Sequence, residues 1–242
     1  MNNYHKLIIA GIPCIRIDPH ISSNGIVILY HGWVSNINDY IFFGSLISDW
    51  GFTVIIPEIP FHGTRGKLNY FDPKEVQKHF WNVVIQTVEE ARNLITELTA
   101  KEMIVGVIGN SAGGFSAAGI FSNNLNIKSA IVMNGSCAWE RFEELTCERD
   151  RRSPWISIDR DSIHKLDPAK SIENLKNKSL LILHGTEDTT IPIDSQKYFM
   201  QMIEQNNLLD SIKFVEYSKV NHQITLSMLE EAKKWLYERT DI

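Results

Sequence analysis

IVGVIGNSAGGFSAAGIF, residues 104–121, joins an apolar run suited to a strand to a run of small and aromatic residues suited to a helix. At the junction, Gly109-Asn110-Ser111-Ala112-Gly113-Gly114 sets three glycines around one serine. Three readings compete: a phosphate cradle, a mount for a nucleophile, or a tight turn without chemistry. The phosphate cradle G-x-x-x-x-G-K-[ST] finds its glycines at Gly109 and Gly114, but Phe115 stands where lysine must reach the phosphates. The dinucleotide pattern G-x-G-x-x-G lacks a third glycine at the required spacing. G-x-S-x-G at residues 109–113 survives. A serine on a sharp strand-to-helix turn needs small neighbours, because strand and helix approach closely there.

Working outward, short β-rich runs alternate with longer helical patterns, the mark of a mostly parallel sheet with crossover helices. The sequence MNNYHKLIIAGIPCIRID reads as a first strand rather than a signal peptide, since its apolar run is short and broken by Gly11 and Pro13. Residues 25–32, 52–58, 102–110, 127–136, 179–185 and 212–218 read as strands. Helices are expected over 36–51, capped by Asn36 or Asn38, and over 72–98 with Pro73 at its start. Further helices are expected over 112–122 and about 224–239. Residues 137–175 break the rhythm and read as a small helical insertion within a single α/β domain spanning 1–242.

A serine hydroxyl is a weak nucleophile until a histidine takes its proton, and that histidine needs a carboxylate to hold its tautomer. On a strand-turn-helix mount of this type the partners follow in the order Ser, Asp/Glu, His, each just past a strand end. Asp188, in LLILHGTEDTTIP, sits in the right place, with Glu187 its rival if the turn faces the other way. Of the eight histidines only His222 lies beyond Asp188, so chain order selects the base. A developing oxyanion also needs donors. The backbone N–H of Ala112 should supply one and that of Trp33, in YHGWVS, the other. His31 would brace that loop, as a satisfied strand-end histidine rather than as a catalytic group.

The remaining features bound the function more loosely. A net charge of −5 argues against broad nucleic-acid binding, which requires a basic face. No run reaches the ~18 apolar residues of a membrane span. Three cysteines, Cys14, Cys137 and Cys147, without a CxxC pair favour reduced thiols in a cytoplasmic protein over a disulfide framework or a metal site. In PFHGTRGK, His62 and Arg65 either touch a substrate carboxylate or, for Arg65, pair with a structural acid. Trp139, Phe142 and Trp155 either wall an acyl pocket or form the buried face of the insertion.

The motifs HGW (31–33), PEIPFHGTRG (57–66), GNSAGG (109–114), HGTEDTTIP (184–192) and NH (221–222) span nearly the whole chain. On these residues the sequence resembles the α/β-hydrolases, specifically compact bacterial esterases near the dienelactone-hydrolase and prolyl-oligopeptidase branches. The resemblance implies a mostly parallel sheet of about eight strands flanked by helices. It also implies a cofactor-free, metal-free hydrolase of small acyl substrates that works through an acyl-enzyme. In that pattern Ser111 is the nucleophile, Asp188 the acid, His222 the base, and Trp33 and Ala112 the oxyanion donors. Two features depart from the nearest branches. Dienelactone hydrolases carry cysteine as nucleophile, and prolyl oligopeptidases carry a propeller that this chain is too short to contain. The expectation is a serine carboxylesterase, with a peptidase or thioesterase using the same triad, or a non-catalytic binding protein of this fold, as alternatives.

Overall fold

The computed structural model describes residues 4–154 and 160–238, so Trp155 lies outside the described residues. The chain begins with a hairpin, β1 (Tyr4–Ile9) and β2 (Ile12–Ile17), followed by β3 (Ile26–Tyr30), α1 (Ile41–Asp49), β4 (Thr53–Pro57) and α2 (Pro73–Thr99). β5 (Ile104–Asn110), α3 (Ala112–Asn123), β6 (Ser129–Met133), α4 (Trp139–Asp150) and α5 (Arg160–Leu166) come next. β7 (Ser179–Gly185), α6 (Asp194–Gln205), β8 (Ile212–Tyr217) and α7 (Leu226–Glu238) complete the order. One eight-stranded sheet runs β1-β2-β4-β3-β5-β6-β7-β8. β1–β2 and β2–β4 pair antiparallel, and every other pair is parallel.

The expected single first strand is a hairpin instead. Ala10 (φ 50°) and Gly11 (φ 81°) both take left-handed backbone, and Ile9 pairs with Ile12 across them. That is the two-residue turn whose twist matches its strands. Alanine at its first position is a weak turn signal, and apolar residues continue on both sides. The expected start of the second element also moves. α1 is preceded by Tyr40, which makes no side-chain cap, whereas Asn36 and Asn38 fold a separate turn. In that turn Asn36 N–H donates to Asp39 Oδ2 (2.9 Å) and Asn38 N–H to Asn36 Oδ1 (2.9 Å). Asparagine offers its side chain to nearby backbone, and here the turn captured it before the helix could. α2 begins as expected, with Pro73 in its first turn and Asp72 accepting from Lys74 N–H.

The strands read as continuous apolar runs because the sheet is covered on both faces. Pleating sends Ile26, Ile28, Tyr30, Val107, Val132 and Ile182 to a core shared with α2 and α3. The alternate residues Val27, Leu29, Ile108, Ile131 and Leu183 go to a second core under α1 and α7. In the first core Trp81 of α2 lies 5.7 Å from the Phe115 ring of α3 and 5.5 Å from Trp139 of α4. Each such fully buried aromatic stabilises the fold by about 1.5–3 kcal/mol, and together they seat α4 against the sheet. α4 is capped from a distance: Asp167 accepts from the N–H groups of Trp139 (3.0 Å) and Glu140 (2.9 Å). No described helix is long and apolar enough to cross a membrane.

β3 lies between β4 and β5, so the chain leaves it toward one side of the sheet and returns on the other. Loops at the carboxyl ends of such strands diverge and leave a crevice. Every site residue below sits at that end.

Candidate active site

At the end of β5, Ser111 takes φ 56° and ψ −124°, a conformation that costs a non-glycine residue on the order of 1–3 kcal/mol. It is held from both sides. Ser111 N–H donates to the Met133 carbonyl of β6 (3.0 Å), while its own carbonyl accepts from Gly114 (2.8 Å) and Phe115 (3.1 Å) at the start of α3. The glycines make the bend sterically available. A Cβ at Gly109 would fall 1.9 Å from the Gly113 carbonyl oxygen, and one at Gly113 would fall 2.3 Å from the Tyr30 carbonyl oxygen.

The Ser111 hydroxyl lies 2.9 Å from His222 Nε2, and His222 Nδ1 lies 2.7 Å from Asp188 Oδ2. Three loops, after β5, β7 and β8, thus meet in one hydrogen-bonded line. Between the two rival acids the turn chooses clearly: the Asp188 side chain is wholly buried, while Glu187 is exposed. Asp188 Oδ1 accepts from the N–H groups of Thr190 (2.9 Å) and Ile191 (2.8 Å), which shapes the loop around the carboxylate. Burial alone would raise the Asp188 pKa, but hydrogen bonds from His184, His222 and Ile191 outweigh it and hold the carboxyl well below its usual range.

The loop after β3 passes directly against Ser111, where a Cβ on Gly32 would stand 3.3 Å from Ser111 Cβ. The Gly32 carbonyl is held by His31 Nδ1 (3.0 Å) and Ser35 Oγ (2.9 Å). His31 Nε2 accepts from Ile59 N–H (3.4 Å), which assigns the ring proton to Nδ1. Burial pushes the His31 pKa down to about 3, so this tautomer is neutral. In a trans peptide the carbonyl and the next N–H point oppositely. Fixing the Gly32 carbonyl therefore aims the Trp33 N–H away from these groups. Among the described residues, neither Trp33 N–H nor Ala112 N–H has a protein acceptor.

A cleft of about 540 Å³ opens over Ser111 and His222, within the range of small-molecule sites. Trp33, Tyr70, Val76, Phe80, Phe142 and Ile191 give it an apolar wall. Thr146, Arg149, Asp150 and Arg152 of α4 and the turn after it add a polar rim. Arg149 Nη1 donates to the Thr189 carbonyl (2.9 Å), tying α4 to the Asp188 loop. Phe142 lines the cleft. Trp139 does not: it is fully buried behind the wall, with Nε1 donating to the Ser136 carbonyl.

His62 and Arg65 also turn away from the cleft. Both His62 ring nitrogens face backbone carbonyls, Pro60 at 2.8 Å and Trp33 at 2.6 Å, and the ring stacks on Tyr70 at 4.6 Å. Desolvation lowers its pKa against the pull of those carbonyls. Arg65 pairs with Glu90 (2.6 Å) and donates to the Glu58 carbonyl (2.8 Å), which is the structural alternative. Cys14 and Cys137 are buried, and burial raises both thiol pKa values, that of Cys14 to about 12.

Four contributors were not read from the sequence. Asn110 and Asn134 close strands β5 and β6. Asn110 Nδ2 donates to Tyr40 Oη (3.3 Å), and that hydroxyl accepts from Gly32 N–H (3.2 Å). Asn134 Nδ2 reaches Asn110 Oδ1 (3.3 Å) and the Gln223 carbonyl (3.0 Å). A polar chain therefore runs beneath Ser111 from the His222 loop to the Gly32 loop. Asn221 Oδ1 accepts from His222 N–H (2.7 Å) and Thr189 N–H (3.0 Å), clamping base and acid loops together. Polar asparagines ending apolar strands were the available signal for Asn110 and Asn134; Tyr40 carried none.

The sheet order, the strained serine between β5 and α3, and the site at the carboxyl strand ends define an α/β-hydrolase fold. Residues 42–239 match the model of the Prolyl oligopeptidase family, and the chain belongs to that family. It is 22% identical to the Bacillus subtilis (strain 168) protein named "Putative esterase YitV", over 94% of this chain and 95% of that one. It is 24% identical to Esterase YjfP of Escherichia coli (strain K12), over 85% of each. The crystal structure of TT1662 from Thermus thermophilus superposes with a TM-score of 0.82 at 17% identity, covering 99% of this chain and 98% of the other.

Proposed function

We propose that this chain is a serine carboxylesterase acting on small acyl esters, with Ser111 as nucleophile, His222 as general base and Asp188 as its orienting acid. The observation carrying this reading is the continuous Asp188–His222–Ser111 line, at 2.7 and 2.9 Å, beneath a small-molecule cleft. Ser111 Oγ attacks the ester carbonyl while His222 Nε2 takes its proton, and Asp188 stabilises the imidazolium so formed. The N–H groups of Trp33 and Ala112 receive the oxyanion. Collapse of the tetrahedral species expels the alcohol, which leaves with the proton from His222. Water, deprotonated by His222, then attacks the acyl-enzyme; the acid departs and Ser111 regains its proton.

The apolar wall of Trp33, Phe80 and Phe142 suits the acyl group, with α4 of the 137–175 segment serving as the cap of the pocket. Three free cysteines fit a reducing, cytoplasmic setting. Ester rather than amide substrates are supported by the two curated relatives named as esterases, each covered over most of its length. The family match makes a peptidase activity the second reading.

Labelling with a fluorophosphonate probe tests the reading. Wild type should label and Ser111→Ala should not; equal labelling of both, or of neither, would refute it. Hydrolysis of p-nitrophenyl acetate should fall by about a thousandfold or more in His222→Ala. A panel of esters, thioesters and aminoacyl amides then decides between the two substrate readings.

A further inference from the structure

His184, at the end of β7, is completely buried, and nothing in the catalytic sequence above requires it. Its Nε2 faces two acceptors, the Ile191 carbonyl at 3.0 Å and Asp188 Oδ2 at 3.3 Å. Among the described residues its Nδ1 has no hydrogen-bond partner. Two acceptors on one side and none on the other assign the proton to Nε2. The lone pair on Nδ1 is then buried without a donor, an arrangement that is destabilising relative to a paired one. Leucine or methionine would fill the same space without that cost. The compensation has to come from the Nε2 side, where the one charged acceptor among the described residues is Asp188.

Asp188 is consequently saturated. Oδ1 takes the N–H groups of Thr190 and Ile191, and Oδ2 takes those of His222 and His184. The two imidazoles share one oxygen, at 2.7 and 3.3 Å. A carboxylate oxygen divides its negative charge among its donors, so each donor weakens the hold of the others. We infer that His184 is a positioning residue of the candidate site: a second imidazole on Asp188 that orients the carboxylate and moderates its grip on His222. This rests on the serine-hydrolase reading for its catalytic meaning, but the shared oxygen is a property of the ground state. Other charges near the pair are Arg149, Asp150 and Arg152 on the α4 side of the cleft. Glu187 and Lys219 lie in the adjoining loops, and Glu216, opposite His184 in register, is paired with Lys197.

The test compares His184→Leu, which removes the donor, with His184→Gln, whose amide restores one. The first readout is the proton NMR resonance of His222 Nδ1–H in its bond to Asp188. In His184→Leu it should move downfield, because Asp188 has lost a competing donor; in His184→Gln it should stay near its wild-type position. The second readout is kcat/KM for p-nitrophenyl acetate against pH. Its acid limb should shift to higher pH in His184→Leu, by about threefold in proton concentration, and should be restored in His184→Gln. Should His184→Leu fail to fold, His184→Met makes the same comparison. An unmoved resonance and acid limb in the apolar variant, or an equal movement in His184→Gln, overturns the inference. A wild type lacking the downfield resonance overturns it too. The resonance needs no turnover, so failure here is distinct from failure of the hydrolase reading, which fluorophosphonate labelling decides.

Discussion

Asn134 Nδ2 donates to the Gln223 carbonyl at 3.0 Å, joining the end of β6 to the loop that carries His222. Asn134 sits in left-handed backbone (φ 45°), is fully buried, and also accepts from Gly185 N–H at 3.4 Å. Replacing it with leucine would strand these partners and place a larger side chain on left-handed backbone. Asn134→Leu is expected to lose about 2–4 kcal/mol of stability in a urea titration. Any folded fraction should show little hydrolysis of p-nitrophenyl acetate, the activity proposed above, since the His222 loop loses its anchor.

Tyr40 offers a milder cut through the same polar chain. Its hydroxyl accepts from Gly32 N–H and Asn110 Nδ2, and burial raises its pKa against those hydrogen bonds. Tyr40→Phe keeps the ring and removes only the hydroxyl. The expected cost is about 1 kcal/mol in stability. For p-nitrophenyl acetate, kcat should fall by about tenfold with KM little changed, because in the proposed mechanism the Gly32 loop positions an oxyanion donor and not the ground-state ester. An equal effect on KM alone would contradict that role.

Gly109 and Gly113 are expected to be intolerant of even one methyl group. Gly109→Ala places its Cβ 1.9 Å from a backbone oxygen, and Gly113→Ala places it 2.3 Å from one. Neither neighbour can move without opening the turn that holds Ser111. Both variants should show a melting temperature lowered by several degrees and fluorophosphonate labelling reduced by about a hundredfold or more.

Asp167 tests α4 as the cleft wall. It accepts from Trp139, Glu140 and Ala169 N–H groups, yet burial outweighs these bonds and pushes its pKa up to about 6. A folded-state pKa above the unfolded value of 3.8 means that the native state binds this proton more tightly. The group's contribution is therefore fully present below about pH 4 and is lost as pH rises through about 6. In Asp167→Asn, that part of the pH dependence of the melting temperature should flatten. Asp167→Ala should instead cost about 1–2 kcal/mol through the lost helix cap, and should raise KM as Phe142 and Thr146 shift with α4.

Much of this molecule was legible locally. The apolar runs of β3, β5 and β7 and the periodic stripe of α2 mark the layers, because strand pleat and helix pitch set which residues are buried whatever lies opposite. Gly109, Ser111 and Gly113 mark a tight bend, and chain order isolates Asp188 and His222. Less was legible where residues with two uses met a choice. Ala10-Gly11 turns the chain because β2 pairs with β4, and Asn36 folds a turn because Asp39 is there to receive it.

The amino-acid sequence by itself thus determined the α/β layering, the position of the strained serine and the two residues that answer it. Only the tertiary structure decided which groups support them. It chose Asp188 over Glu187, sent Trp139, His62 and Arg65 away from the cleft, and brought Asn110, Asn134 and Tyr40 beneath Ser111. It also set His184 on the far side of Asp188. The reason is physical: periodicity and chain order are one-dimensional, whereas a buried polar group is fixed by whichever donor or acceptor from a distant segment satisfies it.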